Sequence, residues 1–275
     1  MTLKRLLKYG YISLMLFFLY LPIGVLIAFS FNESRSRAQW SGFSLKWYAA
    51  LFNDRMVMGA LTTTLLIAVI ATLFAVLIGT TAAVGIHSLK SRRKRTRTVK
   101  RGLIGMTQLS ILSPEIVVGI SLMMLFVYVV TILGIGKLGF NTLLLAHIAF
   151  TTPYVVMSVL PRLRNADESL YEAALDLGAS PSMAFWRILL PQIKPGIITG
   201  AMIAFTLSID DVIISFFTAG STTNLSIMIF SMSRMGINPR INALSTIIFA
   251  VVMIMLYIIN AVDSKYKKSS GNLES

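Results

Sequence analysis

A chain of 275 residues that is 56% hydrophobic and only 13% charged cannot hide its apolar side chains in a water-soluble core, because an ordinary soluble domain runs at about 45–50% apolar and about 25% charged. The lack of cysteine excludes disulfides and thiolate-held zinc or iron–sulfur centres, and His87 and His147 stand too far apart for the paired spacing of a histidine-bound catalytic metal. The formal charge of +14 suits either nucleic acid or the cytoplasmic side of a membrane protein, and its position along the chain decides between them.

A bilayer crossing needs about 20 apolar residues as helix, and six stretches qualify: 9–31, 60–87, 103–133, 140–160, 197–219 and 241–262. The first contains Pro22 and Gly24 and is followed by no small-residue cleavage motif, so an uncleaved anchor is expected. The segment 32–56 carries Trp40, Trp47 and Tyr48, side chains with one apolar and one wet end, which predicts a short interfacial helix.

Between the second and third stretches lie Lys90, Arg92, Arg93, Lys94, Arg95, Arg97, Lys100 and Arg101. In a soluble protein this run would suggest RNA or DNA. With apolar spans close on both sides it reads as a cytoplasmic loop, and no nucleic-acid partner is expected. The third stretch is too long for one straight crossing, and Pro114 is placed to break or kink it. A helix broken at membrane depth lines protein or water.

Gly196 and Gly200 form a lone GxxxG at the start of the fifth stretch, a weak packing signal by itself. With six spans both termini share one side. Eighteen of the 25 Lys and Arg residues fall on the side of the termini and seven on the other, which predicts cytoplasmic N and C termini.

The loop between spans four and five, residues 165–195, repeats Leu170, Ala173, Ala174 and Leu177 at helical spacing. Asp167 is a candidate N-cap, and Gly178 is placed to end the helix in a left-handed conformation. Ser180 and Pro181 suit the cap and first position of a second helix, which Pro191 is expected to stop. Helix, turn, helix serves DNA reading or protein docking. Arg187 is the one base between Ser180 and Leu190, so docking is the better fit.

The order Glu172-Ala173-Ala174, Gly178 four positions later, nine residues, then Ile188, Leu190 and Pro191 resembles the EAA loop of ABC-importer permeases. The stretches FNESRSRAQWSGFSLKWYAALF, LSPEIVVGISLMMLF, LSIDDVIISFFTAG and SMSRMGINPRINALSTI are similar to the PotC-type permease subunits of spermidine/putrescine importers across nearly the whole chain. The resemblance implies an all-α membrane protein of six transmembrane helices with the type I ABC importer permease fold, one permease domain over residues 1–275 in a bacterial inner membrane.

It further implies that Glu172, Ala173, Ala174, Gly178, Ile188, Leu190 and Pro191 build coupling helices for a cytoplasmic ABC ATPase dimer, with membrane lipid, a second PotB-like permease and an extracytoplasmic polyamine-binding protein as further partners. No GxxxxGK[ST] motif occurs, GIGKLG at Gly134–Gly139 lacking the spacing. ATP and magnesium therefore belong to the partner ATPase, and this chain is expected to hold no cofactor and to be no enzyme. Two departures stand out: the unusually basic second cytoplasmic loop, and Glu115 where the family pattern leads one to expect aspartate. The longer carboxylate arm leaves the preferred polyamine open.

Three acids, Glu115, Asp210 and Asp211, fall within the spans, which contain no Lys or Arg. A carboxylate inside a bilayer costs about 2.5–3.5 kcal/mol on insertion scales, so such groups face a bundle interior or water. At the helical rise Asp210 lies about 20 Å beyond Ile197 and Glu115 about 18 Å beyond Leu103, a shared level that suits a polycation pathway. One of Asp210 and Asp211 could instead cap a helix or pair within the bundle. An intramembrane aspartyl protease is the enzyme alternative: Asp210 and Asp211, adjacent on one helix, point about 100° apart and cannot form its dyad, which leaves Glu115 with one aspartate, and GxGD is absent. A permease for another small solute is the remaining alternative.

Overall fold

The computed structural model describes residues 3–34, 39–89, 94–134, 136–234 and 239–254. Among the described residues five helices are long and apolar enough to cross a membrane: Tyr9–Ser30, Arg55–Ser88, Glu115–Leu133, Phe140–Arg164 and Pro181–Asp210. They answer to the first five expected spans. Of the sixth, a shorter apolar helix over Pro239–Ile254 is described, and residues 255–262 lie outside the described residues. The chain divides into two compact units, Met1–Gly59 with Met228–Ser275, and Ala60–Ile227.

In the first unit, α1 (Leu3–Ser30) runs into a short turn, followed by α2 (Lys46–Phe52). Asn32 organises the turn. Its Oδ1 accepts the Ser41 N–H at 2.9 Å, and its backbone carbonyl accepts the Trp47 indole N–H at 2.8 Å. Trp47 is therefore buried, whereas Trp40 is exposed. Phe31 stacks on Phe43 with centroids 5.2 Å apart. The same unit holds an ion pair, Asp54 to Arg240 at 3.1 Å, and the Asp54 carboxylate also caps the start of α3 (Arg55–Ser88) through the Met56 N–H at 3.0 Å.

The second unit contains most of α3, then α4 (Lys94–Leu112), α5 (Glu115–Leu133), α6 (Phe140–Arg164), α7 (Glu168–Asp176), α8 (Pro181–Ala184), α9 (Leu190–Asp210), α10 (Ile213–Thr218) and the start of α11 (Leu225–Arg234). The third stretch is indeed interrupted at Ser113–Pro114, separating α4 from α5. Lys94, Arg95, Arg97, Lys100 and Arg101 form the opening turns of α4, while Lys90, Arg92 and Arg93 lie outside the described residues. Lys100 Nζ donates to the His87 and Leu89 carbonyls at 3.2 and 3.4 Å, satisfying acceptors that the end of α3 leaves free.

Helix α6 is the centre of the unit. Val155, Val156, Val159, Leu160 and Leu163 pack with Ala75, Ala83 and Ile86 of α3 and Ile193 and Ala204 of α9. The fit is closest where glycines remove side chains: a Cβ on Gly79 would stand 2.7 Å from Val155 Cβ, and one on Gly200 3.1 Å from Val155 Cα. The lone GxxxG of the sequence thus forms the α6–α9 seam.

Two expectations are corrected. Pro191 does not end the second loop helix. The helical path runs unbroken from Pro181 to Asp210, because residues Phe185–Leu189 take a π-turn in which the Leu190 N–H bonds the Phe185 carbonyl. The extra residue relieves the register in which the proline ring would strike the carbonyl four residues back. The fifth span also does not continue from 197 to 219. α9 stops at Asp210, Asp211 is extended (φ −64°, ψ 119°), and α10 restarts at Ile213.

Candidate functional site

Two sets of residues came forward from the sequence, the cytoplasmic loop and the three acids. In the loop, Asp167 accepts the Ser169 N–H at 2.9 Å and its hydroxyl at 2.6 Å, capping α7. The hydroxyl first, then the N–H, hold the Asp167 carboxyl below its ordinary range. At the other end Gly178 takes φ +85°. The Gly178 N–H bonds Leu175 and the Ala179 N–H bonds Ala174, each at 3.0 Å, the paired closure that favours glycine at this place. Ser180 Oγ accepts the Met183 N–H at 3.3 Å, with Pro181 in the first turn of α8. Gln192 of α9 accepts the Asp167 N–H at 2.9 Å, and His87 of α3 meets Glu168 at 3.1 Å, so the hairpin is fastened to both long helices.

No residue of α7 is buried. Leu170 is 53% exposed, Leu177 89% and Trp186 65%, with Met183 exposed beside them. The apolar stripe read from the spacing faces outward, away from the unit's core. Glu172 and Ala173 are exposed on the same helix. Met183 and Trp186 were not among the residues read from the sequence. Their signal was available: large apolar side chains in a segment too short to cross a bilayer.

The acids divide. Glu115 is the first residue of α5, behind Pro114 (φ −57°, ψ 132°). One turn further on, α5 lies against α10 at Gly119, where a Cβ would stand 3.0 Å from Phe217 Cδ2 and 3.4 Å from Ile214 Cα. Residues four apart share a helix face, so Glu115 starts the face that meets α10, and its carboxylate is within electrostatic reach of Asp211 and Asp210. Tyr154 of α6 is within the same reach of Glu115, and its ring meets Phe150 edge-on at 5.6 Å. Glu115 and Asp210 are both exposed.

Asp211 is not. Its side chain is 2% exposed, and its oxygens accept the Ile214 N–H at 3.2 Å and the Ser215 N–H at 2.7 Å, capping α10. His147 Nε2 lies 3.7 Å from Asp211 Oδ2. The capping role therefore falls to Asp211, and because the helix breaks there, the two aspartates do not share one helix. Among the described residues no group of three or more His, Cys, Asp and Glu could hold a metal ion.

Residues 75–267 match the family of binding-protein-dependent transport system inner membrane components. The chain is 38% identical to the spermidine/putrescine transport system permease protein PotC of Shigella flexneri, over 97% of each chain. It is 40% identical to PotC of Escherichia coli (strain K12), over 92% of each. It is 41% identical to the putrescine transport system permease protein PotI of that strain, over 88% of this chain and 85% of PotI. Among solved structures, a chain of a bacterial ABC transporter involved in the import of the acidic polysaccharide alginate superposes with TM-score 0.70 at 18% identity, covering 96% of both chains. A chain of the MetNI methionine ABC transporter in an inward-facing conformation gives 0.61 at 17% identity, over 76% of this chain and 97% of that one. These two likenesses establish the fold.

Proposed function

Since the chain belongs to the family of binding-protein-dependent transport system inner membrane components, we propose that it is the PotC-type permease subunit of an ATP-driven importer whose cargo is a polyamine, spermidine or putrescine. The observation that carries the cargo is the pair of exposed carboxylates, Glu115 and Asp210, at the breaks of the third and fifth spans, in spans free of Lys and Arg. Such a site favours ammonium groups and repels anions. The named relatives support the same cargo. Produced with its ATPase and binding protein in cells stripped of other polyamine uptake, the complex is expected to accumulate labelled spermidine or putrescine. Accumulation of a different solute and of neither polyamine would refute the cargo.

The ATPase dimer docks on the hairpin around Glu172, Ala173, Ala174 and Gly178, with Ile188, Leu190 and Pro191 leading the movement into α9. A second, PotB-like permease completes the path, and an extracytoplasmic binding protein delivers the polyamine. What supports the docking is the outward apolar face of Leu170, Leu177, Met183 and Trp186, which a partner protein would cover. ATP binding would close the ATPases, move the hairpin as a rigid body and alternate the access of the spans. Gly178→Val forces a β-branched residue into φ +85°, at about 1–3 kcal/mol. Uptake and substrate-stimulated ATP hydrolysis are expected to fall together while the permease stays in the membrane. Parental transport by that variant, with the complex intact, would remove the hairpin from the coupling role.

The bias of 18 basic residues against seven supports cytoplasmic termini in the inner membrane of a bacterium. In this cysteine-free chain, Ser41→Cys should react with an impermeant thiol reagent on intact cells and Ser269→Cys should not. The reverse pattern would invert the topology.

A further inference from the structure

His147 is buried in mid-α6, 1% exposed, and coupling and the acidic site leave it without a task. Its ring spans the discontinuity of the fifth span. Nδ1 stands 2.7 Å from Ser208 Oγ, on α9 just before the break, and Nε2 stands 3.0 Å from Ser215 Oγ, on α10 just after it. Ser215 Oγ also takes the Asn224 amide N–H at 2.8 Å, while the Ser215 backbone N–H donates to the Asp211 carboxylate at 2.7 Å. Asn224 Oδ1 in turn accepts the Ile227 N–H at 2.9 Å, tying the entry of α11 to the same oxygen.

In either neutral tautomer one ring nitrogen donates to its serine oxygen and the other accepts from its serine hydroxyl, so the imidazole leaves neither nitrogen unpaired. Among the side chains, a ring with an acceptor and a donor on opposite edges fits this gap, whereas a hydroxyl or carboxamide reaches one end of it. Beside this bridge the Asp211 carboxylate accepts the Ile214 and Ser215 N–H groups, next to the exposed Asp210.

We propose that His147 is a positioning residue for the transport path: bridging Ser208 and Ser215, it holds α9 and α10 in the register that keeps Asp210 within reach of Glu115. The substrate part of this inference rests on the polyamine reading above; the geometric part does not. A histidine that served packing alone would affect how much permease folds. One that sets the register affects how well the folded permease binds its cation.

The test uses the whole complex and separates these effects. His147→Leu, which keeps the bulk and loses both hydrogen bonds, should raise the apparent KM for spermidine about tenfold, the scale of one lost hydrogen bond to a charged group, with Vmax changed less than about twofold. Ser215→Ala removes a single oxygen and little volume, so it should fold if His147→Leu does not, and it should raise KM in the same direction. Thr151→Val is the comparison: Thr151 Oγ1 donates only to the His147 carbonyl, at 2.7 Å, and this variant should keep the parental KM. Independently of any substrate, Glu115→Cys with Asp210→Cys in the cysteine-free chain should cross-link with a short bifunctional thiol reagent, and adding His147→Leu should slow the reaction about tenfold. Parental KM and parental cross-linking in the His147 and Ser215 variants, whatever their yield, would reduce the network to packing. Failure of the parent to transport polyamine would defeat the cargo reading and leave the cross-linking to judge the positioning.

Discussion

Replacing Gly196 by leucine should leave almost no folded permease in the membrane. A Cβ at this position would stand 2.8 Å from the Ser158 carbonyl oxygen and 2.7 Å from Arg162 Cγ. The arginine stem can swing aside, but the carbonyl belongs to the backbone of α6 and cannot move without displacing the helix. In a bilayer, helix association draws on van der Waals contact, because lipid tails are as apolar as the side chains they replace. Separating α6 from α9 therefore forfeits the contact without a compensating hydrophobic gain.

Overpacking a fitted core costs about 1–3 kcal/mol, and leucine adds three heavy atoms beyond the Cβ that already collides. The seam also supports a second neighbour: Val155 faces Gly200 on one side and Gly79 on the other, so a shift of α6 disturbs α3 as well. Gly85 provides the contrast, since a Cβ there meets nothing within 4 Å. Gly85→Ala should be neutral or stabilise by about 0.5–1 kcal/mol through its better helix propensity. Membrane yield and the midpoint of thermal aggregation in detergent measure both. A Gly196→Leu protein with the parental midpoint would contradict the close approach.

The same seam shows where sequence reading reaches its limit. Gly196 and Gly200 at a spacing of four are one weak motif among many, and only the facing Ser158 and Val155 make them a contact. Apolar length revealed the spans, because the bilayer imposes one thickness on every crossing. The hairpin was legible down to its caps, since Asp167, Gly178, Ser180 and Pro181 are local signals that act within four residues. What could not be read was the register of the fifth span. A proline normally ends a helix, and nothing in the order of residues 185–191 announces a π-turn that accommodates it.

The break at Asp211 was hidden for a related reason: residues 197–219 are apolar enough to pass for one helix. The interruption is stabilised by His147, Ser208, Ser215 and Asn224, which are 7 to 77 positions apart in sequence and individually give no signal. The division of labour among the acids follows from that break. With a continuous helix, Asp210 and Asp211 would differ only by a rotation of about 100°; with the chain extended at Asp211, one carboxylate turns into the protein and the other stays open.

That division gives the remaining large effect. Glu115→Gln and Asp210→Asn, each alone, should lower the initial rate of polyamine uptake about tenfold to a hundredfold, and together abolish it. An ammonium held by a carboxylate contributes about 1.5–3 kcal/mol as a charge-assisted hydrogen bond, and about 1.4 kcal/mol is a factor of ten. Both residues are exposed, so their removal leaves no buried group unpaired, and deleting a charge from a span recovers an insertion penalty of about 2.5–3.5 kcal/mol. Membrane levels of these variants should therefore equal or exceed the parent's. Asp211→Asn should do the opposite. It weakens the cap on the Ile214 and Ser215 N–H groups inside a buried network, so yield falls before uptake per molecule does. Glu115→Asp keeps the charge and shortens the arm, and its effect on the ratio of spermidine to putrescine uptake measures how far the longer side chain sets the preference between them. Uptake at the parental rate by the Glu115→Gln, Asp210→Asn double variant would separate these carboxylates from the cargo and leave the negative charge of the path to be sought on the partner permease.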